Sequence, residues 1–253
     1  KIAGVSAALV NSALVTLVSL LLLYLSKEPP NGFTLVELGL MAGFSLFGKN
    51  IVNIWPIIAG TFLYAKARRE PFGKYVSVSL LATALAPVVS YVALDNGFGN
   101  LWWGIAVGLL IGFVLPPLAT HVHYAHKGYS LYNVGFASGI IATVVVSVMK
   151  SFGVTTESRL IWSTGNNRLF LFVLCGLFLS MMGGALVLGG KEVFAAYGRI
   201  LKTTGISGTD YLKSEGGPAT TFNMGLCGLF ATLFVAAVGG DLNGPTIGGI
   251  FTI

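Results

Sequence analysis

Long apolar segments separated by short polar stretches make up most of the chain. A helix needs about 20 residues to cross the hydrocarbon core of a bilayer, and six segments reach or approach that length. They are residues 3–24, 75–94, 101–119, 131–149, 169–188 and 218–238. The pattern predicts an all-α membrane protein, a polytopic bundle of helices.

The composition agrees with this prediction. Of the 253 residues, 55% are hydrophobic and 9% are charged, whereas soluble domains carry about 25% charged residues. The net charge of +6 does not indicate nucleic-acid binding, because the basic residues fall in short loops and are not interleaved with aromatic residues on one face. Cys175 and Cys227 both lie in predicted spans, so we expect no disulfide framework.

The charges of the loops predict an orientation. By the positive-inside rule, the basic loops 66–74 and 190–216 lie in the cytoplasm, and the loop that begins at Asp95 and segment 150–168 lie outside. The bacterial inner membrane is the expected location. Residues 192–202 place apolar side chains at helical spacing opposite basic ones, which predicts an amphipathic helix in the cytoplasmic interface or an ordinary loop helix.

Segments 32–47 and 51–64 are apolar but short for a crossing, and polar residues interrupt them. The polar residues in and between them include Glu37, Lys49, Asn50 and Asn53. Non-helical backbone within the hydrocarbon region of a membrane must line a cavity or be buried in protein. We therefore predict a re-entrant segment at 32–47 that enters from outside, and a short crossing to the cytoplasm at 51–64. A single broken helix with Lys49 near the middle of the membrane is the alternative.

The beginning and the end of the chain contain similar segments. "VNSALVTLVSLLLLYLSKEPPNGFT" (10–34) aligns without a gap with "FNMGLCGLFATLFVAAVGGDLNGPT" (222–246). Both have an asparagine (Asn11, Asn223), an apolar span, and then Asn-Gly-x-Thr. A partial third copy at 132–147 has Tyr132 and Asn133 but lacks that ending. In the predicted topology the three asparagine-bearing helices run parallel, with the cytoplasmic end first.

This repeat suggests a domain organisation. Residues 1–216 form a first repeat unit with about six crossings, and residues 217–253 begin a second unit that is truncated, or completed by another chain. Internal repeats that place broken helices near the membrane midplane are characteristic of many transporters and channels.

Two short motifs resemble known families. "NGPTIGG", together with "FGKN" after the first copy, is similar to an uncharacterised family of bacterial polytopic integral membrane proteins with internal repeats. The aromatic–Asn–x–x–apolar pattern at Tyr132–Phe136 and Phe222–Leu226 resembles one in urea transporters. That second resemblance implies two repeated halves around a pore for a small neutral amide.

Eleven polar residues are the candidates for a substrate pathway. They are Asn11, Asn31, Thr34, Glu37, Lys49, Asn50, Asn53, Asn133, Asn223, Asn243 and Thr246. Asparagine amides can line a path for a solute, or they can bond neighbouring helices and hold a bundle together. The Asn-Gly-x-Thr motifs are interpreted as turns that open re-entrant helices, with Thr34 or Thr246 as the cap.

Glu37 is the acidic residue that lies deepest in an apolar run. Ionisable residues in a membrane are often functional, so it is a candidate ion or proton site, and Lys49 is a candidate to neutralise it or to lie in the interface. Glycines at 104, 108 and 112, and at 135 and 139, have the spacing of close helix contacts.

No pattern in the sequence indicates an enzyme, a metal site or a cofactor. The chain has no His-Glu-x-x-His, no Gly-x-Ser-x-Gly and no phosphate-binding loop. His121, His123 and His126 do not share a helix face, so we interpret them as interfacial residues.

The sequence thus favours a membrane transport protein, a channel or facilitator for a small polar solute, urea-like or an ion. The alternatives are an ion-coupled secondary transporter and a non-transporting subunit that a partner chain completes. The expected partners are the lipid bilayer, the solute or ion, and a second copy or second chain, without nucleic acid.

Overall fold

The computed structural model describes residues 4–95, 100–126, 133–154, 162–203 and 209–252, except for the side chains of residues 95, 123, 125 and 126. In these ranges the chain is helical and contains no strand. The α-helices are α1 Gly4–Leu25, α2 Gly32–Phe44, α3 Trp55–Ala67, α4 Val76–Ala82, α5 Ala86–Ser90, α6 Leu101–His126, α7 Asn133–Ser151, α8 Asn167–Gly189, α9 Glu192–Ile200, α10 Tyr211–Ser214, α11 Gly216–Ala237 and α12 Gly244–Ile250. The predicted all-α bundle is confirmed.

Within the described residues, six helical segments are long and apolar enough to cross a membrane. They are Gly4–Leu25, Phe72–Leu94, Leu101–Val122, Asn133–Ser151, Asn167–Gly189 and Gly216–Ala237, which match the six predicted spans. In α8, 17% of the apolar 18-residue stretch is buried inside the protein. Large exposed side chains such as Phe172 and Val187 suit lipid as the surrounding solvent.

The second span is built from short pieces. It begins with a 3₁₀ turn, Phe72–Tyr75, and α4; a second 3₁₀ turn, Thr83–Leu85, and α5 follow, and a π-helical turn, Tyr91–Asp95, ends it. Pro87 has no N–H to donate to the carbonyl of Thr83, which explains why the α-helical pattern is interrupted there.

The chain forms two compact units, each assembled from distant segments. The first unit contains Pro29–Gly43 and Ile161–Ile253, and the second contains Ile2–Glu28 and Phe44–Leu160. These units describe packing, and the repeat boundary at 216/217 stays a prediction.

Close contact of α3 with α6 organises the second unit. A Cβ built on Gly60 would lie 2.2 Å from the carbonyl oxygen of Leu109, and one built on Gly112 would lie 1.9 Å from that of Ile57. Pro116 cannot donate to the carbonyl of Gly112, and the Thr61 hydroxyl donates to that oxygen instead, at 2.9 Å. The close packing predicted for Gly104, Gly108 and Gly112 is confirmed, whereas a Cβ on Gly139 would meet no atom of the described chain within 4 Å.

In the first unit, α8 packs along α11, and α9 covers both. Gly225 of α11 lies against the backbone of α8 at Phe178. Helix α9 buries Val193, Ala196 and Ile200, and Val193 packs with Phe222 of α11. The amphipathic helix predicted at 192–202 is therefore present, with Phe194 and Leu201 exposed. Its location in the membrane interface stays a prediction.

Candidate functional site

The Asn-Gly-x-Thr motifs open two short helices, α2 and α12, in the same way. The Asn31 side-chain oxygen accepts from the Thr34 N–H at 3.0 Å, and the Asn243 oxygen accepts from the Thr246 N–H at 3.3 Å. The motif was correctly interpreted as a helix start, and the asparagine caps both helices. At α2 the Thr34 hydroxyl also accepts from the Asn31 N–H at 3.0 Å, as predicted. The threonine is the third residue of the helix, where its N–H needs an acceptor.

Different groups anchor the starts of these two helices within the first unit. The Gly32 N–H at the start of α2 donates to the Asp210 carboxylate at 3.0 Å, and Asp210 also caps α10. At the start of α12, Asn167 accepts from the Leu242 N–H at 2.9 Å, and Asn243 donates to the carbonyl of Ser163. Burial alone would raise the pKa of Asp210, but the N–H groups of Gly32 and Lys213 hold it below its ordinary value.

Helices α2 and α12 cross in close backbone-to-backbone contact. A Cβ on Gly43 would lie 2.8 Å from the Cα of Gly248, and a Cβ on Gly39 would lie 2.5 Å from the carbonyl oxygen of Phe251. Glycine at these positions permits the contact. Because the later residue of α2 meets the earlier residue of α12, the two helices are antiparallel.

The ends of α11 show that α2 and α12 begin at opposite ends of the first unit. Asp210, which bonds the start of α2, lies just before α11, and Asn243 lies just after it. Helix α11 is about 33 Å long at 1.5 Å per residue. The 13 residues of α2 and the seven of α12 span about 20 Å and about 10 Å. Each is shorter than one membrane crossing, about 30 Å, and the two overlap where Gly39 and Gly43 meet Phe251 and Gly248.

These contacts correct the predicted topology. Gly32 and loop 190–216 cannot lie on opposite sides of a membrane, because Gly32 bonds Asp210 directly. In the second unit, a Cβ on Gly73 would lie 2.8 Å from the carbonyl oxygen of Ser26, so the chain returns to the end of α1 before the second span begins. Segment 51–64 therefore does not complete a crossing. Its 14 residues reach about 21 Å as a helix, short of the bilayer core.

The asparagine-bearing helices are also not parallel. Asn133, the first residue of α7, lines a cavity together with Lys74, and Gly73 lies at the end of α1. Helix α7 therefore starts where α1 ends, and the two run in opposite directions. Tyr132, which belongs to the proposed third copy of the repeat, lies outside the described residues, as do the side chains of His123 and His126.

Asn11 holds the irregular connection between α2 and α3. Its amide nitrogen donates to the carbonyls of Ser45 at 2.7 Å and Lys49 at 2.9 Å, and its oxygen accepts from the Ile51 N–H at 3.2 Å. Asn11 lies about 10 Å along α1. Backbone groups in a turn at that depth require protein partners, and Asn11 supplies three.

Asn50 and Asn53 complete the same turn. The side-chain oxygen of Asn50 accepts from the N–H groups of Val52 and Asn53, and that of Asn53 accepts from the Asn50 N–H at 2.8 Å. Asn53 also donates to Gly48 and Ser90. The structure thus brings Asn11, Asn50 and Asn53 together around one turn, where they satisfy backbone groups.

Both charged candidates are buried. Glu37 has no exposed surface and Lys49 is 3% exposed. At about 100° per residue, Glu37 lies on the side of α2 opposite Gly39 and Gly43, away from α12. The Lys49 ammonium lies 5.8 Å from the centre of the Phe44 ring, where a cation near the end of α2 is favourable.

The other two asparagines have separate surroundings. Asn133 donates to the carbonyl of Ala119 at 2.7 Å in the second unit. Asn223, in the first unit, accepts from the Cys227 thiol at 3.9 Å, a weak bond within one helix.

Sequence analysis missed three residues that position these elements: Asp210, Asn167 and Thr61. Asp210 and Asn167 follow loops and look like ordinary solvated residues in the sequence. The role of Thr61 could have been inferred from Pro116, because a proline inside a helix leaves a carbonyl that needs another donor.

Comparison with known proteins identifies the family. The chain matches the family described as "Protein of unknown function (DUF1576)" over residues 1–151 and 190–253. It belongs to this family. No curated protein and no solved structure matches the chain.

Proposed function

We propose that this protein is a membrane transport protein, a channel or facilitator for a small polar solute, and that α2 and α12 border its pathway as re-entrant helices. The antiparallel crossing of these half-length helices at Gly43 and Gly248 is the observation that carries the proposal. Paired discontinuous helices of opposite direction, supplied by internal repeats, are a recurrent way to build a binding site near the membrane midplane.

The orientation that fits the proposal differs from the predicted one in the directions of α1 and α2 and in segment 51–64, which does not cross. With the basic loops 66–74 and 190–216 in the cytoplasm, α2 enters from the cytoplasmic side, because Gly32 bonds Asp210. Helix α12 then enters from outside. The two copies of Asn-Gly-x-Thr are inverted in this arrangement, as they are in many secondary transporters.

The buried charges favour one variant of this function, an ion-coupled transporter. A buried glutamate and a buried lysine are costly in a membrane protein and commonly belong to ion or proton pathways. Asn11, Asn50 and Asn53 have a different role in this proposal: they hold the turn after α2 in place.

A flux assay in liposomes tests the proposal. The purified chain is reconstituted, and swelling is followed by light scattering with urea and glycerol, while ion-sensitive dyes report H⁺, Na⁺ and K⁺ entry. We expect at least one solute or ion to enter faster than in protein-free liposomes. If every probe enters at the same rate with and without the protein, and the protein is shown to be folded and inserted, transport is contradicted and a non-transporting subunit is favoured.

Three variants make the assay specific. Gly43→Ala places a methyl group against Gly248, whereas Gly249→Ala adds the same group in open space on α12. We expect the first to reduce flux and the second to preserve it. Glu37→Gln distinguishes a passive channel from an ion-coupled transporter. If transport is coupled through that carboxyl group, the substitution abolishes the dependence of flux on an imposed ion gradient.

A further inference from the structure

A cavity in the second unit has a lining that the proposed pathway does not use. Its volume is about 330 Å³, and three membrane-crossing elements contribute to it. Lys74 and Tyr75 come from the start of the second span, Thr120 from the late part of α6, and Asn133 from the start of α7.

The position of these residues places the cavity at the boundary of the bilayer. Lys74 and Asn133 lie at the first turns of two candidate spans, and Thr120 lies near the end of a third, which runs from Leu101 to Val122. Tyr75 and Tyr124 also line the cavity. Tyrosine side chains are enriched at the level of the lipid headgroups.

The lining combines polar and apolar residues. The polar residues are Lys74, Tyr75, Thr120 and Asn133, and the apolar residues include Val78, Pro116 and Val134. Such a combination suits a molecule with a polar head and a hydrocarbon chain.

The local charge is positive. The loop beside the cavity carries Lys66, Arg68, Arg69 and Lys74 against one acidic residue, Glu70. Lys74 bonds Glu70 at 2.6 Å, and its side chain is still 58% exposed. An ammonium group has three N–H donors, so Lys74 can bind an anion while it keeps the bond to Glu70.

We propose that this cavity binds the headgroup of an anionic phospholipid. Lys74 and the Asn133 amide contact the phosphate, and an acyl chain lies along Val78 and Val134. Basic pockets between membrane-spanning helices are typical sites for anionic headgroups. The basic loop supplies the long-range attraction, and Lys74 supplies the contact within the cavity.

Melting of the purified chain in neutral detergent tests this proposal. Phosphatidylglycerol is compared with phosphatidylcholine of the same acyl chains, and inorganic phosphate is a third addition. We expect phosphatidylglycerol to raise the melting temperature more than phosphatidylcholine does. No difference between the two lipids overturns the proposal, and so does an equal increase with phosphate alone.

Two matched substitutions locate the effect. Lys74→Gln and Lys66→Gln each remove one positive charge, but Lys66 does not line the cavity. We expect Lys74→Gln to lose the preference for phosphatidylglycerol, and Lys66→Gln to keep it. Equal losses in both variants would mean diffuse attraction to the basic loop and would overturn the site. Lys74→Arg, which keeps the charge, is expected to retain the preference and shows that the position tolerates substitution.

Discussion

Asn11 and Asn223 occupy the same position in the two repeated segments, but their surroundings differ. Asn11 makes three hydrogen bonds to the turn between α2 and α3. Asn223 accepts a long bond from a thiol one turn away in its own helix. A repeated residue therefore does not have a repeated role, because the role depends on the backbone that passes beside it.

The two short helices show the complementary case. Asn31 and Asn243 each accept the N–H of the threonine three residues later, because this bond depends only on neighbouring residues. Local features are shared by the two copies, and features that need a distant partner are not. Substitutions at matched positions test this distinction.

The largest effect is expected from Asn11→Leu. The change removes one donor group and one acceptor that serve Ser45, Lys49 and Ile51, and it leaves their backbone groups without that partner at membrane depth. We expect a loss of about 3 kcal/mol in the free energy of unfolding. Asn223→Leu should change it by less than about 0.5 kcal/mol. Chemical denaturation in detergent measures both, and similar losses would remove the difference between the two copies.

Gly43→Ala should destabilise the protein by about 2 kcal/mol, because the new methyl group meets the backbone of Gly248 at 2.8 Å. The control on α12, Gly249→Ala, should be neutral or stabilising by up to about 1 kcal/mol, since alanine favours a helix more than glycine does. Thermal melting of the two variants in parallel is sufficient. A neutral Gly43→Ala would show that the helices can separate without cost.

The caps should respond equally. Asn31→Ala and Asn243→Ala each remove one acceptor from a helix N–H, and each should cost about 1 kcal/mol. The same denaturation assay provides the values. An effect confined to one of the two would mean that the common geometry hides different contributions to stability.

The smallest effect is a pH dependence limited to the start of α2. The folded pKa of Asp210 is lowered, so its contribution is present above its unfolded pKa of about 3.9 and is lost as pH falls through the lower folded value. Asn167, the acceptor near the start of α12, does not titrate. Asp210→Asn should therefore remove a small part of the decline in melting temperature between pH 5 and pH 3, relative to the wild type. An unchanged decline would contradict the role given to the carboxylate.

Sequence pattern was sufficient for the features that depend on neighbours in the chain. The apolar length of each span, the helix starts at Asn31 and Asn243, and the close packing at Gly108 and Gly112 follow from local composition and spacing. The direction of α2 relative to α12 does not, because the same Asn-Gly-x-Thr signal opens a helix from either side of a membrane.

The candidate site shows the same limit. The sequence marked Asn11, Asn50 and Asn53 as polar residues in an apolar segment, but it could not show that their partners are carbonyl and N–H groups of a single turn. Asp210 was missed because an acidic residue in a polar loop has no distinguishing pattern. Its importance comes from Gly32, which is 178 positions away in the chain.

The span from Phe72 to Asp95 changes helical type four times, and this has a mechanical consequence. A 3₁₀ turn rises about 2.0 Å per residue and an α-helix about 1.5 Å. If Thr83–Leu85 converted to α-helix, the span would shorten by about 1.5 Å. The part that follows would rotate by about 60°, because the two helices turn by about 120° and 100° per residue. Ser90, which bonds Asn53, would move with it, so the length of this helix is linked to the turn that follows α2.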